Sequence, residues 1–230
     1  MSQQEPTFAP TRYADPPGAT RLILIRHGEA EPFRPSAGND HFGGGLDPGL
    51  APAGHEQARQ VALWLASRGI GQVWSSPLRR VRETAAPLAE RLGLEPLLLE
   101  QLREVHLGEW EGGVVHQRIH EADPLWAEVW RQERWDVIPG AEANASLRSR
   151  VRTALELIHS RAGATTVAVF THDGVIAAAL ALATEARPFA FASSDHGSIS
   201  EMVVEAEGRW RVRSFNEQAH LVPAGGRGRR

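Results

Sequence analysis

At 230 residues, with 42% hydrophobic and 23% charged side chains, the chain favours one well-buried core with room for an excursion over two compact domains. A formal charge of −3 provides no global field for nucleic acid or an anionic membrane, so any positive potential must be local to a site. The absence of cysteine excludes disulfides, thiolate nucleophiles and cysteine-ligated metal centres.

Residues 1–19, with Pro6, Pro10 and Pro16-Pro17-Gly18 and little periodicity, predict a disordered N-terminal segment. They lack the basic start and apolar core of a signal peptide, and no apolar run approaches the roughly 20 residues of a membrane span. The expectation is a cytoplasmic protein without a membrane partner. Leu22-Ile23-Leu24-Ile25 then reads as a buried strand that opens into Arg26-His27-Gly28-Glu29-Ala30. A strand ending in a glycine turn presents its next side chains at the carboxyl edge of a sheet, where open α/β folds bind ligands. Arg26 offers a five-donor fork for phosphate, and His27 an imidazole titrating near neutral pH; together they suggest phosphate chemistry without a metal.

Further along, Ala58, Val61, Ala62 and Leu65 fall at helical spacing after Pro52, with Gly69 as the stop. Gln72 to Ser75 is the next predicted strand, and it runs into Ser76-Pro77-Leu78-Arg79-Arg80. A helix is expected from about Leu78 to Arg91, ending at Gly93, and Leu94 to Leu99 reads as a further strand. Leu147, Val151, Ala154, Leu155 and Ile158 mark an amphipathic helix before the strand Thr166 to Phe170. That strand leads into Thr171-His172-Asp173-Gly174, repeating the pattern of strand, histidine and glycine, and Val175 to Ala183 reads as a buried helix. Met202-Val203-Val204 and Trp210 to Val212 predict a closing hairpin turned at Glu207-Gly208. The alternation predicts a three-layer α/β/α sandwich with a mostly parallel central sheet.

Residues 112–140 break the alternation. Trp126, Trp130 and Trp135 cluster there among many charges, and packing an excursion onto the core is favoured over lining a pocket. His116 and His120 stand four apart with Glu121 adjacent, a spacing that can bind zinc on a helix, but no third ligand is evident and no metal is assigned. The last residues, 223–230, read as a flexible basic tail without a function.

Taken together, Leu24-Ile25-Arg26-His27-Gly28-Glu29, Asp47-Pro48-Gly49-Leu50 with Gly54 and Gln57-Ala58, Ser75-Ser76-Pro77-Leu78 through Thr84-Ala85, Leu102-Arg103-Glu104 through Gly108-Glu109-Trp110-Glu111-Gly112, and Thr171-His172-Asp173-Gly174 resemble the histidine phosphatase superfamily. This phosphoglycerate mutase-like resemblance covers about residues 20 to 221 and implies a histidine phosphatase-like domain over 20–222, with a helical excursion around 112–140. It implies a phosphomonoesterase that needs no metal or other cofactor and acts on a small phosphorylated metabolite through a phosphohistidine on His27. In that reading Arg26, Arg80 and a protonated His172 bind the phosphoryl group, and Glu104 is the acid that protonates the leaving group and later activates water. The family register prefers Arg80 over Arg79 as the phosphate ligand, and the flanking arginines should keep His27 neutral while its other ring nitrogen bonds a backbone carbonyl. Glu29 is at most a supporting residue, and His196 is a candidate neighbour of the pocket without a family match strong enough to use.

Departures from the pattern favour the phosphatase branch. Glu104-Val105-His106-Leu107-Gly108 lacks the charged and hydroxyl side chains that phosphoglycerate mutases place around the histidine after the loop acid. Asn39, near Gly43-Gly44-Gly45, reads either as a phosphate-binding amide or as a turn former. The alternatives carried forward are a phosphomutase and a non-catalytic phospho-ligand binding protein, with a homodimer left open and nucleic acid not expected as a partner.

Overall fold

The computed structural model describes residues 13–32, 41–42 and 45–221. Its first strand, β1 (Thr20–Arg26), shows why the fold has layers on both sides. Successive side chains of a strand point to opposite faces, and here both faces are buried. Leu22 and Leu24 enter one core with Val167 and Val169, whereas Ile23 and Ile25 enter the other with Ala168 and Phe170.

After β1 come the two-residue strands β2 (His41–Phe42) and β3 (Gly45–Leu46), which pair with each other. Helix α1 (Pro52–Leu65), strand β4 (Ile70–Ser75) and helix α2 (Arg79–Leu92) follow, and α2 stops at Gly93 in a left-handed conformation at φ +65°. The run from Leu94 to Leu99, expected to be a strand, is one only at Leu97–Leu98, β5. It lies at the sheet edge with both side chains exposed, so it has no second face to bury. Two short helices, α3 (Val114–His120) and α4 (Pro124–Gln132), form the excursion before α5 (Asn144–Ala162), β6 (Thr166–Thr171) and α6 (Asp173–Thr184). Strands β7 (Ile199–Val204) and β8 (Trp210–Glu217) close the chain as a hairpin with Gly208 at φ +80° in its turn.

The six-stranded sheet has the order β5-β4-β6-β1-β7-β8. β5, β4, β6 and β1 run parallel, and β7 and β8 add antiparallel pairings at the far edge. Helices α1 and α2 supply Val61, Leu65, Val81 and Leu88 to one face. From α5 and α6, Val151, Leu155, Ile176 and Leu180 cover the other, completing the expected α/β/α layers.

The excursion has its own small core of Trp110, Val129, Ile138 and Phe189, against which Trp126 and Trp135 pack. Trp135 and Phe189 lie 4.7 Å apart between ring centroids, and Trp126 meets Trp130 edge to face at 6.0 Å. Residues 13–19, although part of the segment expected to be disordered, are tied to the domain. Arg21 donates two hydrogen bonds to the Asp15 carboxylate at 3.0 and 2.8 Å, the Arg213 guanidinium lies 3.6 Å from the Tyr13 ring centroid, and Ala19 is buried. Among the described residues no helix is long and apolar enough to cross a membrane.

Candidate active site

The sheet register brings the two motif histidines together. Ile25 pairs with Phe170 and Arg26 with Thr171, so His27 and His172 are the next residues off two neighbouring parallel strands. Adjacent strands lie about 4.8 Å apart. The imidazole centroids, 5.1 Å apart and edge to face, nearly reproduce that spacing. On the other side of β6, Ser75 pairs with Phe170 and ends β4 at the same edge. The turn Ser76-Pro77-Leu78 then starts α2, whose second residue, Arg80, reaches back over both histidines.

Hydrogen bonds set the state of each ring. His27 Nδ1 lies 2.8 Å from Gly28 O, and a carbonyl only accepts, so Nδ1 carries the proton. Arg80 Nε donates to His27 Nε2 at 3.2 Å, so Nε2 is the unprotonated nitrogen and its lone pair faces the guanidinium. Arg80 Nη2 stands 3.3 Å from His172 Nδ1, which therefore accepts, and His172 Nε2 is left to donate to Ser76 Oγ at 3.0 Å. Arg26 donates through Nη1 to Ser194 O, while its buried Nε has no partner among the described residues. A buried guanidinium N–H without an acceptor suits an anion.

Burial, followed by the charges of Arg80 and Arg26, holds His27 well below the usual histidine value of 6.5. His172 is fully buried and is lowered in the same way by burial and then Arg80. In the unliganded pocket His172 is therefore neutral, because two guanidinium groups beside a desolvated ring disfavour a third cation. Glu104 moves the other way. Burial and the nearby Asp173 raise its carboxyl above the usual 4.5, opposed by the Val105 N–H at 2.9 Å and by Arg80 and Arg26. A Cβ on Gly174 would lie 2.7 Å from Glu104 Oε1, so the acid sits against the bare backbone of the first turn of α6.

The five expected site residues, Arg26, His27, Arg80, Glu104 and His172, thus meet at the carboxyl edge of β4, β6 and β1. Arg79 points away and bonds Glu83 Oε1 at 2.8 Å. Glu29 is exposed, and its backbone is what the fold uses, the N–H donating to Gln57 Oε1 at 2.8 Å. Asn39 lies outside the described residues.

Several residues near the site were not assigned to it from sequence. Thr84 accepts from Gly28 N at 3.0 Å and donates to Arg80 O at 2.7 Å, clamping α2 to the loop of His27. Ser76 and Thr84 lie within quoted motifs, yet nothing local shows where their hydroxyls point. Asp173, in the first turn of α6, accepts from Ser194 N and Oγ at 2.6 and 2.7 Å and so holds the loop that receives Arg26. His116 on α3 is near enough that burial and then the charges of Arg80 and Arg26 lower its pKa. His196 stands beside His27, with ring centroids 5.4 Å apart. Its loop has no periodic pattern from which that placement could be read.

Gly28 and Gly54 allow the close approach that seats this loop. A Cβ on Gly28 would lie 2.6 Å from Gly54 O, and one on Gly54 would lie 2.1 Å from Glu29 O. The hydrogen bonds Glu31 N to Gly49 O and Ala51 N to Glu29 O, both 2.9 Å, draw the start of α1 onto the residues after β1.

Comparison with known proteins shows the family. Residues 22–218 match the family model of the histidine phosphatase superfamily (branch 1), and the chain belongs to that family. It is 33% identical over 205 residues to a bifunctional protein of Mycobacterium tuberculosis, covering 88% of this chain and 55% of the other, so it spans about half the length of that relative. It is 34% identical over 153 residues to phosphoserine phosphatase 1 of Hydrogenobacter thermophilus, covering 66% of this chain and 70% of the relative. Among solved structures, the mycobacterial glucosyl-3-phosphoglycerate phosphatase in complex with inorganic phosphate superposes with a TM-score of 0.71 at 29% identity, covering 87% of this chain and 98% of the other.

Proposed function

We propose that the protein is a phosphomonoesterase that hydrolyses a small phosphorylated metabolite through a phosphohistidine on His27. The observation that carries this reading is the state of the His27 ring. Its Nδ1–H is committed to Gly28 O, and its Nε2 lone pair lies among the donors of Arg80, beside Arg26. A neutral imidazole with a fixed tautomer is the form that attacks phosphorus, and guanidinium groups around it suit the charge that spreads over the equatorial oxygens.

In the first half-reaction, His27 Nε2 forms a bond to phosphorus while the bond from phosphorus to the ester oxygen breaks. Arg26 and Arg80 hold the nonbridging oxygens, His172 joins them through Nδ1 by taking up a proton from solvent as the bound dianion offsets the guanidinium charges, and Glu104 gives its proton to the departing alkoxide. The raised carboxyl of Glu104 suits it to carry that proton. In the second, the Glu104 carboxylate takes a proton from water as the water oxygen bonds to phosphorus. The bond to Nε2 then breaks, releasing inorganic phosphate and restoring both residues. The arginines and histidines supply the charge stabilisation, so the reading needs no metal ion.

The two named phosphatases among the relatives support a small organic phosphate as substrate. The compartment that goes with this reading is the cytoplasm, where such metabolites are handled. The test is a rapid quench of the wild-type chain with radiolabelled p-nitrophenyl phosphate. An acid-labile, base-stable label that is absent from His27→Ala is expected, and turnover without any such label overturns the proposal.

A further inference from the structure

His196 stands against the nucleophile, and the mechanism above leaves it unused. Its ring is half-buried, tilted 45° to that of His27 at 5.4 Å between centroids, and neither of its nitrogens has a hydrogen-bond partner among the described residues. The other two imidazoles of the pocket, His27 and His172, each have both nitrogens within hydrogen-bond distance of a neighbour.

The loop carrying His196 is fixed from three sides. Gly197 N lies 3.2 Å from both Arg26 O and His27 O, joining the loop to the end of β1. Asp173 of α6 holds Ser193 N at 3.0 Å and Ser194 N at 2.6 Å. Asn216 of β8 accepts from Asp195 N at 2.8 Å and donates to its carboxylate at 2.8 Å. Gly197 has φ +70°, a left-handed conformation that lets the chain turn immediately after His196. Backbone anchored on both sides of His196 holds the residue beside a reactive atom and leaves its ring nitrogens free for a ligand.

We propose that His196 is a substrate-binding residue, whose imidazole donates a hydrogen bond to a nonbridging oxygen of the phosphoryl group poised over His27 Nε2. The inference rests on the catalytic reading and extends it by one contact. The charged groups around the ring are Arg26 from β1, Arg80 from α2, Asp173 from α6 and Asp195 from its own loop, with His27 alongside. Burial and Arg26 lower the imidazole to about 4, so near neutral pH it is uncharged and carries one N–H. A phosphoryl dianion would give that N–H an acceptor and would complement Arg26 on the same side of the pocket. The contact is specific for a tetrahedral oxyanion, because an alcohol product has no nonbridging oxygen to offer.

The experiment is imidazole nitrogen NMR of the full chain with labelled histidine, titrated with inorganic phosphate, beside steady-state kinetics of His196→Leu and His196→Gln on p-nitrophenyl phosphate. Phosphate should perturb His27, His172 and His196 with one common midpoint. His196→Leu should weaken phosphate inhibition and raise KM on the order of tenfold, and His196→Gln, which keeps an N–H, should recover most of that loss. If the resonances of His27 and His172 respond while His196 does not, or if His196→Leu binds phosphate as the wild type does, the inference fails and the catalytic reading stands. If none of the three responds and no ester is hydrolysed, both fail together. The wild-type titration decides the matter even if a variant does not fold.

Discussion

Arg80 donates from Nε to Nε2 of His27 at 3.2 Å, so the atom assigned as nucleophile faces a guanidinium before any substrate enters. The same side chain places Nη2 3.3 Å from His172 Nδ1, and one fork thereby spans the two histidines that β1 and β6 deliver. A phosphoryl group entering between them would exchange nitrogen acceptors for oxygen acceptors, with the donors already in place. Such preorganisation lowers a barrier because little reorientation remains for the transition state.

Replacing Arg80 separates its charge from its shape. Arg80→Lys keeps a cation but loses the planar fork, and kcat/KM should fall by about 10²- to 10³-fold. Arg80→Ala also removes a charge that holds His27 in its neutral form, so the pKa of His27 rises toward 6.5. Since the neutral ring is the form proposed to attack phosphorus, the acid limb of kcat/KM should move to higher pH in Arg80→Ala and less in Arg80→Lys. Superimposable pH profiles for the three proteins would contradict this coupling.

The role of Glu104 depends on the leaving group. Its raised pKa keeps the proton on the carboxyl above pH 4.5, and the acid is lost as the pH climbs through that raised value. On an alkyl phosphate, Glu104→Gln should lower kcat by about 10²- to 10⁴-fold and abolish the basic limb that this carboxyl produces. Phosphorylation of His27 by p-nitrophenyl phosphate, whose phenolate departs without help, should fall by less than about tenfold in a single turnover. Equal losses on the two esters would remove Glu104 as the leaving-group acid.

On the proposed mechanism Ser76 is a positioning residue that acts through His172. Its Oγ lies 3.0 Å from His172 Nε2, and it fixes which nitrogen of that buried ring faces Arg80. Ser76→Ala leaves a buried N–H unsatisfied, at a cost of about 1–3 kcal/mol. Part of that cost should appear as a kcat/KM reduced by about tenfold, and part as lower thermal stability. Histidine nitrogen spectra should show a mixed tautomer at His172, and an unchanged spectrum would rule out the positioning role.

Gly54 makes a steric prediction. An added Cβ would lie 2.1 Å from the backbone oxygen of Glu29, which cannot swing aside as a side chain could. Gly54→Ala should therefore destabilise the protein by about 1–3 kcal/mol, lowering Tm by about 2–4 °C per kcal/mol. Because the displaced backbone follows directly on His27-Gly28, activity measured well below Tm should also drop. A variant with wild-type Tm and wild-type kcat/KM would show that α1 shifts freely relative to β1.

Much of the layered fold was legible in the chain, as were Arg26, His27 and His172 at strand ends, whereas Glu104 and the choice of Arg80 over Arg79 rested on the family resemblance. Runs such as Leu22 to Ile25 and Val167 to Phe170, apolar at every position, mark strands buried on both faces, and the helix spacing of Leu147 through Ile158 marks a covering helix. Arg26-His27-Gly28 and His172-Asp173-Gly174, each immediately after such a run, placed two histidines at strand ends. These signals are local, because backbone periodicity and turn chemistry are set within a few residues. Only the tertiary structure decided that β6 lies between β1 and β4, with Arg26 level with Thr171, and this register brings together histidines far apart in the chain. It also decided that His172 is neutral in the unliganded pocket, since its charge state sums burial with the fields of groups from several elements. His196 became visible for the same reason. Its loop has no pattern of its own, and its position beside His27 exists only because β1, α6 and β8 each hold one part of that loop.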